Sequence, residues 1–236
     1  MDRIVDGLYW FLAFLFSTTV HEAMHALVAL RGGDPTAYRG GQVSISPIPH
    51  IRREPIGMLL VPLVTAFYNG WAIGWASAPV DTAWAERHPR RAALVSAAGP
   101  VGNLLIALIA WIGIRIGLGM GAFEAPPSPV FAHLTLAANG NPHSLAAFAA
   151  QGLSVLVTLN VFLAAFNLLP LPPLDGGSAV LGILPKDLAD QAAPILRSPG
   201  LSIVGFVVAW QLFPKISGPL FHMLVASLYP GQYVFR

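Results

Sequence analysis

Five runs of this chain stay apolar for about twenty residues or more, and no other feature limits its fold so tightly. They cover residues 8–30, 56–78, 92–118, 145–169 and 201–228. About 20 mostly apolar residues carry an α-helix across the hydrocarbon of a bilayer. The chain is 55% hydrophobic and only 10% charged, whereas soluble domains carry about 25% charged residues. The solvent implied is lipid. The expectation is an all-α polytopic membrane protein with four to six transmembrane helices, forming one membrane-embedded domain over residues 1–236. Its core spans about 8–185, with C-terminal helices over about 201–229. A net charge of +2 is a small effect in such a chain, and the expected partner is the lipid bilayer, with no nucleic acid. There is no cysteine, so disulfides and thiolate metal sites are excluded. No internal repeat or heptad pattern is present.

Charge placement gives the expected orientation. The start, "MDRIVDGLYWFLAFLF", sets Asp2 and Asp6 against Arg3, which does not suit a signal peptide. It reads as a retained first helix. Arg31, Arg39, Arg52 and Arg53 fill the first loop, and Arg87, Arg90 and Arg91 fill the loop over 79–91. The positive-inside rule makes both cytoplasmic, with the latter three anchored at lipid headgroups. Residues 56–78 then enter and leave on one side, as a re-entrant hairpin or a small membrane-embedded β-sheet. Pro62 and Asn69–Gly70 interrupt that run and suit this reading. Residues 119–147 lack Lys and Arg and fall outside; Lys186 and Arg197 bring the next loop inside. The N-terminus is then outside. The stretch 124–142 reads as a flexible loop. Pro214, Gly218 and Pro219 predict a broken helix, or two short ones, over 201–228.

The first run carries "HEAMH", with His21, Glu22 and His25. On a helix, positions i and i+4 share a face, so both imidazoles can reach one zinc ion, with Glu22 beside them as a general base. With seven histidines in the chain, the pattern is expected about 0.003 times by chance. Ionisable residues inside a membrane point to function by default. A catalytic zinc usually has three protein ligands and one open position. The candidate third ligand is Asp175, the only acid between Glu124 and Asp187. In "FNLLPLPPLDGG" it follows Pro170, Pro172 and Pro173, which forbid regular helix, and it precedes Gly176 and Gly177, which permit a sharp turn. An unwound segment inside a membrane protein commonly lines a site. Asp-Gly is equally a common turn pair. Topology favours the ligand, because the first and fourth runs both head inward and bring His25 and Asp175 to similar depth.

With "HEAMH", "SAAGPVGN" at 96–103 and "NLLPLPPLDGG" at 167–177 in hand, the chain resembles the site-2 protease family of intramembrane zinc metalloproteases, of the compact type without PDZ or CBS domains. The likeness covers about residues 8–185. It implies one zinc per chain held by His21, His25 and Asp175, with Glu22 as the catalytic glutamate. It implies that Asn167 helps hold the substrate or the oxyanion. The implied substrate is a transmembrane segment of another protein, cut near the cytoplasmic side of the cell membrane. An inactive zinc-binding scaffold of the same fold is the alternative, and an intact Glu22 argues against it. A strand edge could hold the unwound substrate. The expected strand is Gly40–Pro49, "GGQVSISPIP", followed by "IGWASAPV". Asn103 is expected to bond a neighbouring helix, and Asn160 to pack or line water. His50, His88, His133, His143 and His222 read as ordinary solvated histidines.

Overall fold

The computed structural model describes residues 2–196 and 198–233. Among them, four helices are long and apolar enough to cross a membrane: α1 (Asp2–Gly32), α6 (Pro89–Gly119), α7 (Leu145–Asn167) and α10 (Pro199–Leu228). The protein is a multi-pass, all-α membrane protein. Helix α6 is central, packed against α1 on one side and α7 on the other. Small residues permit the approach: a Cβ on Gly102 would lie 2.8 Å from Met24 Cγ. Without a hydrophobic force between helices in lipid, such close contact is a main source of association. Arg91 Nη1 donates to Gly32 O at 3.1 Å, closing the end of α1. Short helices α2 (Thr36–Arg39), α3 (Pro47–Arg53) and α5 (Thr82–Arg87) lie between α1 and α6. Helices α8 (Asp175–Ile183) and α9 (Lys186–Leu196) follow α7.

Residues 56–78 form a hairpin. A π-helical turn, Ile56–Leu60, runs into α4 (Val61–Asn69). At a rise of about 1.5 Å per residue, the two reach about 21 Å, short of a hydrocarbon core of about 30 Å. The chain reverses at Gly70, with φ 78°, and returns extended. The arms are tied along their length. Ile73 N donates to Thr65 Oγ1 at 2.9 Å, and Trp75 N to Gly57 O at 3.1 Å. Ser77 Oγ donates to Glu54 Oε1 at 2.7 Å, and Arg53 Nε to Ser77 Oγ at 3.2 Å. A Cβ on Gly74 would stand 2.3 Å from Gly57 O, so only glycine permits this contact. The two ends of the hairpin lie together, as the re-entrant alternative expects.

Several expectations are corrected. Gly40–Pro49 is not a strand. Ser44 Oγ accepts from Ser46 N at 3.1 Å, and Ser46 Oγ accepts from Ile48 N at 3.4 Å. These local bonds compete with a ladder, and Pro47 starts α3 at the position where its missing N–H is harmless. "IGWASAPV" is extended but joins no ladder. The sheet that does form pairs β1 (Phe123–Glu124) with β2 (Leu136–Ala137), antiparallel, in the loop after α6. The stretch 124–142 thus carries structure of its own rather than being loop throughout. Leu134 is fully buried, Ser154 Oγ accepts from Leu134 N at 3.0 Å, and Tyr229 Oη donates to Leu134 O at 3.0 Å. Helix α10 is continuous through Pro214 and Pro219. Losing one backbone bond per proline is milder than unwinding in lipid, where no water meets the freed groups. Arg197 lies outside the described residues.

Candidate metal centre

Helix α1 presents Ser17, His21 and His25 at successive turns, and all three are buried. The facing stripe of α6 is Val95, Gly99 and Asn103, also one turn apart and buried. His25 Nδ1 lies 2.7 Å from Val95 O, and His21 Nδ1 lies 2.6 Å from Asn103 Oδ1. Both rings thereby turn Nε2 inward, 3.0 Å apart. The third group comes from beyond α7. After Asn167 the prolines break the helix, and the chain folds back over the start of α8. A Cβ on Gly176 would sit 2.3 Å from Leu169 O, so the fold-back needs glycine. Helix α10 covers this loop, and a Cβ on Gly205 would lie 2.0 Å from Pro172 O. Asp175, the first residue of α8, then points at the histidines. Its Oδ2 is 3.1 Å from His21 Nε2, and its Oδ1 is 3.4 Å from His25 Nε2.

The two imidazole nitrogens and the two oxygens of the one carboxylate thus converge at separations of 3.0 to 3.4 Å. Zinc bonds of about 2.0–2.2 Å in tetrahedral geometry place donors about 3.3–3.6 Å apart. The donor set is nitrogen and oxygen without sulfur, as zinc accepts. Val95 O can only accept, so His25 Nδ1 carries a proton, and Nε2 is the ring atom left to offer a metal, facing a second imidazole and a carboxylate. A cation relieves that crowding of negative charge. Space for it is kept by Gly99, whose Cβ would lie 2.3 Å from His25 Nε2 and 2.5 Å from His21 Nε2. Glu22 is buried beside the pair, its ligand atom within 4.8 Å of theirs, and its Oε2 has no hydrogen-bond partner. The residues present fit a zinc ion.

The sequence pattern of peptidase family M50 matches residues 9–207. The chain belongs to peptidase family M50. It is 35% identical over 224 residues to YwhC of Bacillus subtilis (strain 168), provisionally named a zinc metalloprotease, covering 93% of this chain and 87% of that one. Proteins named Rip2, with the same provisional description, are 28% identical in Mycolicibacterium smegmatis and Mycobacterium tuberculosis H37Rv. Those matches cover 83% and 88% of this chain and 64% and 68% of the relatives. No solved structure matches.

In this M50 chain the remaining expected positions divide. Asn167 ends α7 with Nδ2 donated to Leu163 O at 2.9 Å; among the described residues this bond goes to its own helix, not to the cluster. His50 is fully buried, its Nε2 3.0 Å from Ser44 O and its Nδ1 without a partner. It is not the solvated loop histidine expected. Asn103 and Asn160 bond each other, with Asn103 Nδ2 2.8 Å from Asn160 Oδ1. Gly99 lies in the quoted "SAAGPVGN" motif but was given no role, and Val95 lies just before it. Their places at 95 and 99, in step with Asn103 and matching the spacing of Ser17, His21 and His25, were the available signal.

Proposed function

We propose that this protein is an intramembrane zinc metalloprotease that cuts membrane-protein substrates within or near their transmembrane segments. One observation carries the reading: the converging donor atoms of His21, His25 and Asp175, with a buried, unpartnered Glu22 beside them, inside membrane helices. His21, His25 and Asp175 would hold one zinc ion per chain. Bound there, zinc supplies Lewis-acid activation of water and of the scissile carbonyl. Glu22 takes the proton from the attacking water and later hands it to the leaving amine, as a general base turned general acid. Asn167 donates a side-chain N–H to the substrate or its developing oxyanion. The re-entrant hairpin supports a location on the cytoplasmic side, because it joins the arginine-rich loops next to the end of α1. The substrate is a transmembrane or signal-like helix that must unwind to expose its carbonyl.

The test compares wild type with Glu22→Gln. The variant should bind zinc like wild type and lose activity by about 10² to 10⁴-fold. Membrane proteomes of cells carrying only the variant should accumulate an uncut transmembrane protein. Equal proteolysis by the variant, or wild-type protein without zinc in elemental analysis, would sink the proposal.

A further inference from the structure

We propose that Asn103 and Asn160 form an amide relay of fixed polarity that holds His21 as the Nδ1–H tautomer, leaving its Nε2 lone pair free for metal. The inference rests on the metal-site reading above and deepens it. The polarity is set at the far end. Leu156 O can only accept, and the Asn160 amide group 2.9 Å from it is therefore the NH2. The same NH2 reaches Ser17 Oγ at 2.8 Å. Asn160 Oδ1 then faces Asn103 at 2.8 Å and needs a donor, so Asn103 turns its own NH2 that way. That NH2 also points at Ser17 O, at 3.5 Å, another group that only accepts. What remains to face His21 Nδ1, at 2.6 Å, is Asn103 Oδ1, and an oxygen requires a proton on the ring nitrogen.

Each link is fully buried: Asn103, Asn160 and Ser17 have 0% exposure. No bulk water can repair a reversed amide, and a buried polar group left unpaired costs about 1–3 kcal/mol. Reversing Asn103 alone would set NH2 against Nδ1 and oxygen against Asn160 Oδ1. It would drive the ring proton to Nε2, the atom that faces Asp175 and His25. His25 needs no such relay, because a backbone carbonyl fixes its tautomer directly. Asn103 and Asn160 are positioning residues, acting through His21. The orienting partner of a metal-bound histidine is typically worth about 10–100-fold in metal affinity.

The experiment measures zinc affinity by chelator competition on the purified full chain in detergent. Asn103→Leu should weaken zinc about 10–100-fold, whereas Asn103→Asp, whose carboxylate still accepts from Nδ1–H although it no longer donates to Asn160, should bind zinc more tightly than Asn103→Leu. Asn160→Leu should weaken zinc in the wild-type background and add nothing in the Asn103→Leu background, since partners in one network are not additive. Wild-type affinity in Asn103→Leu overturns the relay, as does an Asn103→Asp protein as weak as Asn103→Leu. If Asn103→Leu does not fold, Asn160→Leu decides: unchanged zinc binding by that variant overturns it. Absence of zinc from wild type would instead overturn the metal-site reading.

Discussion

Gly99 shows how one missing methyl group can decide a metal site. An alanine in the interior of a helix is ordinarily worth about 1 kcal/mol over glycine, so Gly99→Ala should leave α6 intact. Its Cβ would nonetheless stand 2.3 Å from His25 Nε2, in the space a ligand bond needs. Zinc content by elemental analysis should fall close to zero while circular dichroism shows the helices retained; full occupancy would place the ion elsewhere. Asp175 and Asn167 separate in the same assay. Asp175→Ala removes one of the three proposed ligands and should lower both zinc and activity. Asn167→Ala should keep near wild-type zinc and lose about 10² to 10³ in rate, the cost of one oxyanion donor. If Asn167→Ala loses zinc as fully as Asp175→Ala, the role assigned to Asn167 is wrong.

Among the elements, the turn after α1 illustrates how the non-spanning pieces are held. Asp34 is buried and accepts from Thr36 N and from Asp81 N, each at 2.9 Å, and from Thr36 Oγ1. It ties the end of α1 to the N-cap of α5, where Asp81 Oδ1 accepts from Ala83 N and Trp84 N. Burial pushes the Asp34 carboxyl up, but the three hydrogen bonds, helped by Arg39, outweigh it and hold the group below its ordinary value. A depressed carboxylate stabilises the fold above the unfolded pKa of about 3.9 and loses that contribution as pH falls through the lower folded value. Asp34→Asn should cost about 1 to 3 kcal/mol near neutral pH. Thermal unfolding in detergent should show the gap to wild type closing as pH drops below about 3.9. A gap unchanged at that acidity would mean the charge contributes nothing.

At the scale of the whole molecule, the described architecture is four long helices with one hairpin that turns back between the first two. If the hairpin is re-entrant, Arg39, Glu86 and Asp187 share one side of the membrane, and Asn139 lies on the other. All four positions are exposed, and the chain has no native cysteine. Single cysteines at 39, 86 and 187 should react with an impermeant thiol reagent only from the cytoplasm, and one at 139 only from outside. Labelling of position 86 from outside would make residues 56–78 a crossing and reverse the orientation of everything after them. Helix α10 fits this layout as the outer wall. Phe206 and Phe213 stack edge-on against Phe166 at 6.2 and 5.3 Å, and Trp210 lies 6.2 Å from Trp71 at the hairpin tip.

What the sequence determined alone are the properties set by period and composition. Four of the five long apolar runs became helices able to span a bilayer, and a 3.6-residue turn puts His21 and His25 on one face wherever α1 goes. Three prolines before an aspartate require an unwound end, which is why Asp175 was visible as a candidate ligand. Local patterns misled where they were short. The alternation around Val43 and Ile45 spans too few residues to outweigh serine side chains that bond their own backbone. The Pro/Ala-rich stretch 124–142 gave no sign that Leu134 would be an anchor. The tertiary structure alone decided the rest. The contact of His21 with Asn103 crosses 82 residues, and the burial of His50, the cover of α10 over Pro172 and the clearance left by Gly99 depend likewise on which helix faces meet. Helical periodicity is enforced by bonds four residues apart, whereas which faces meet is settled by packing among helices far apart in the chain.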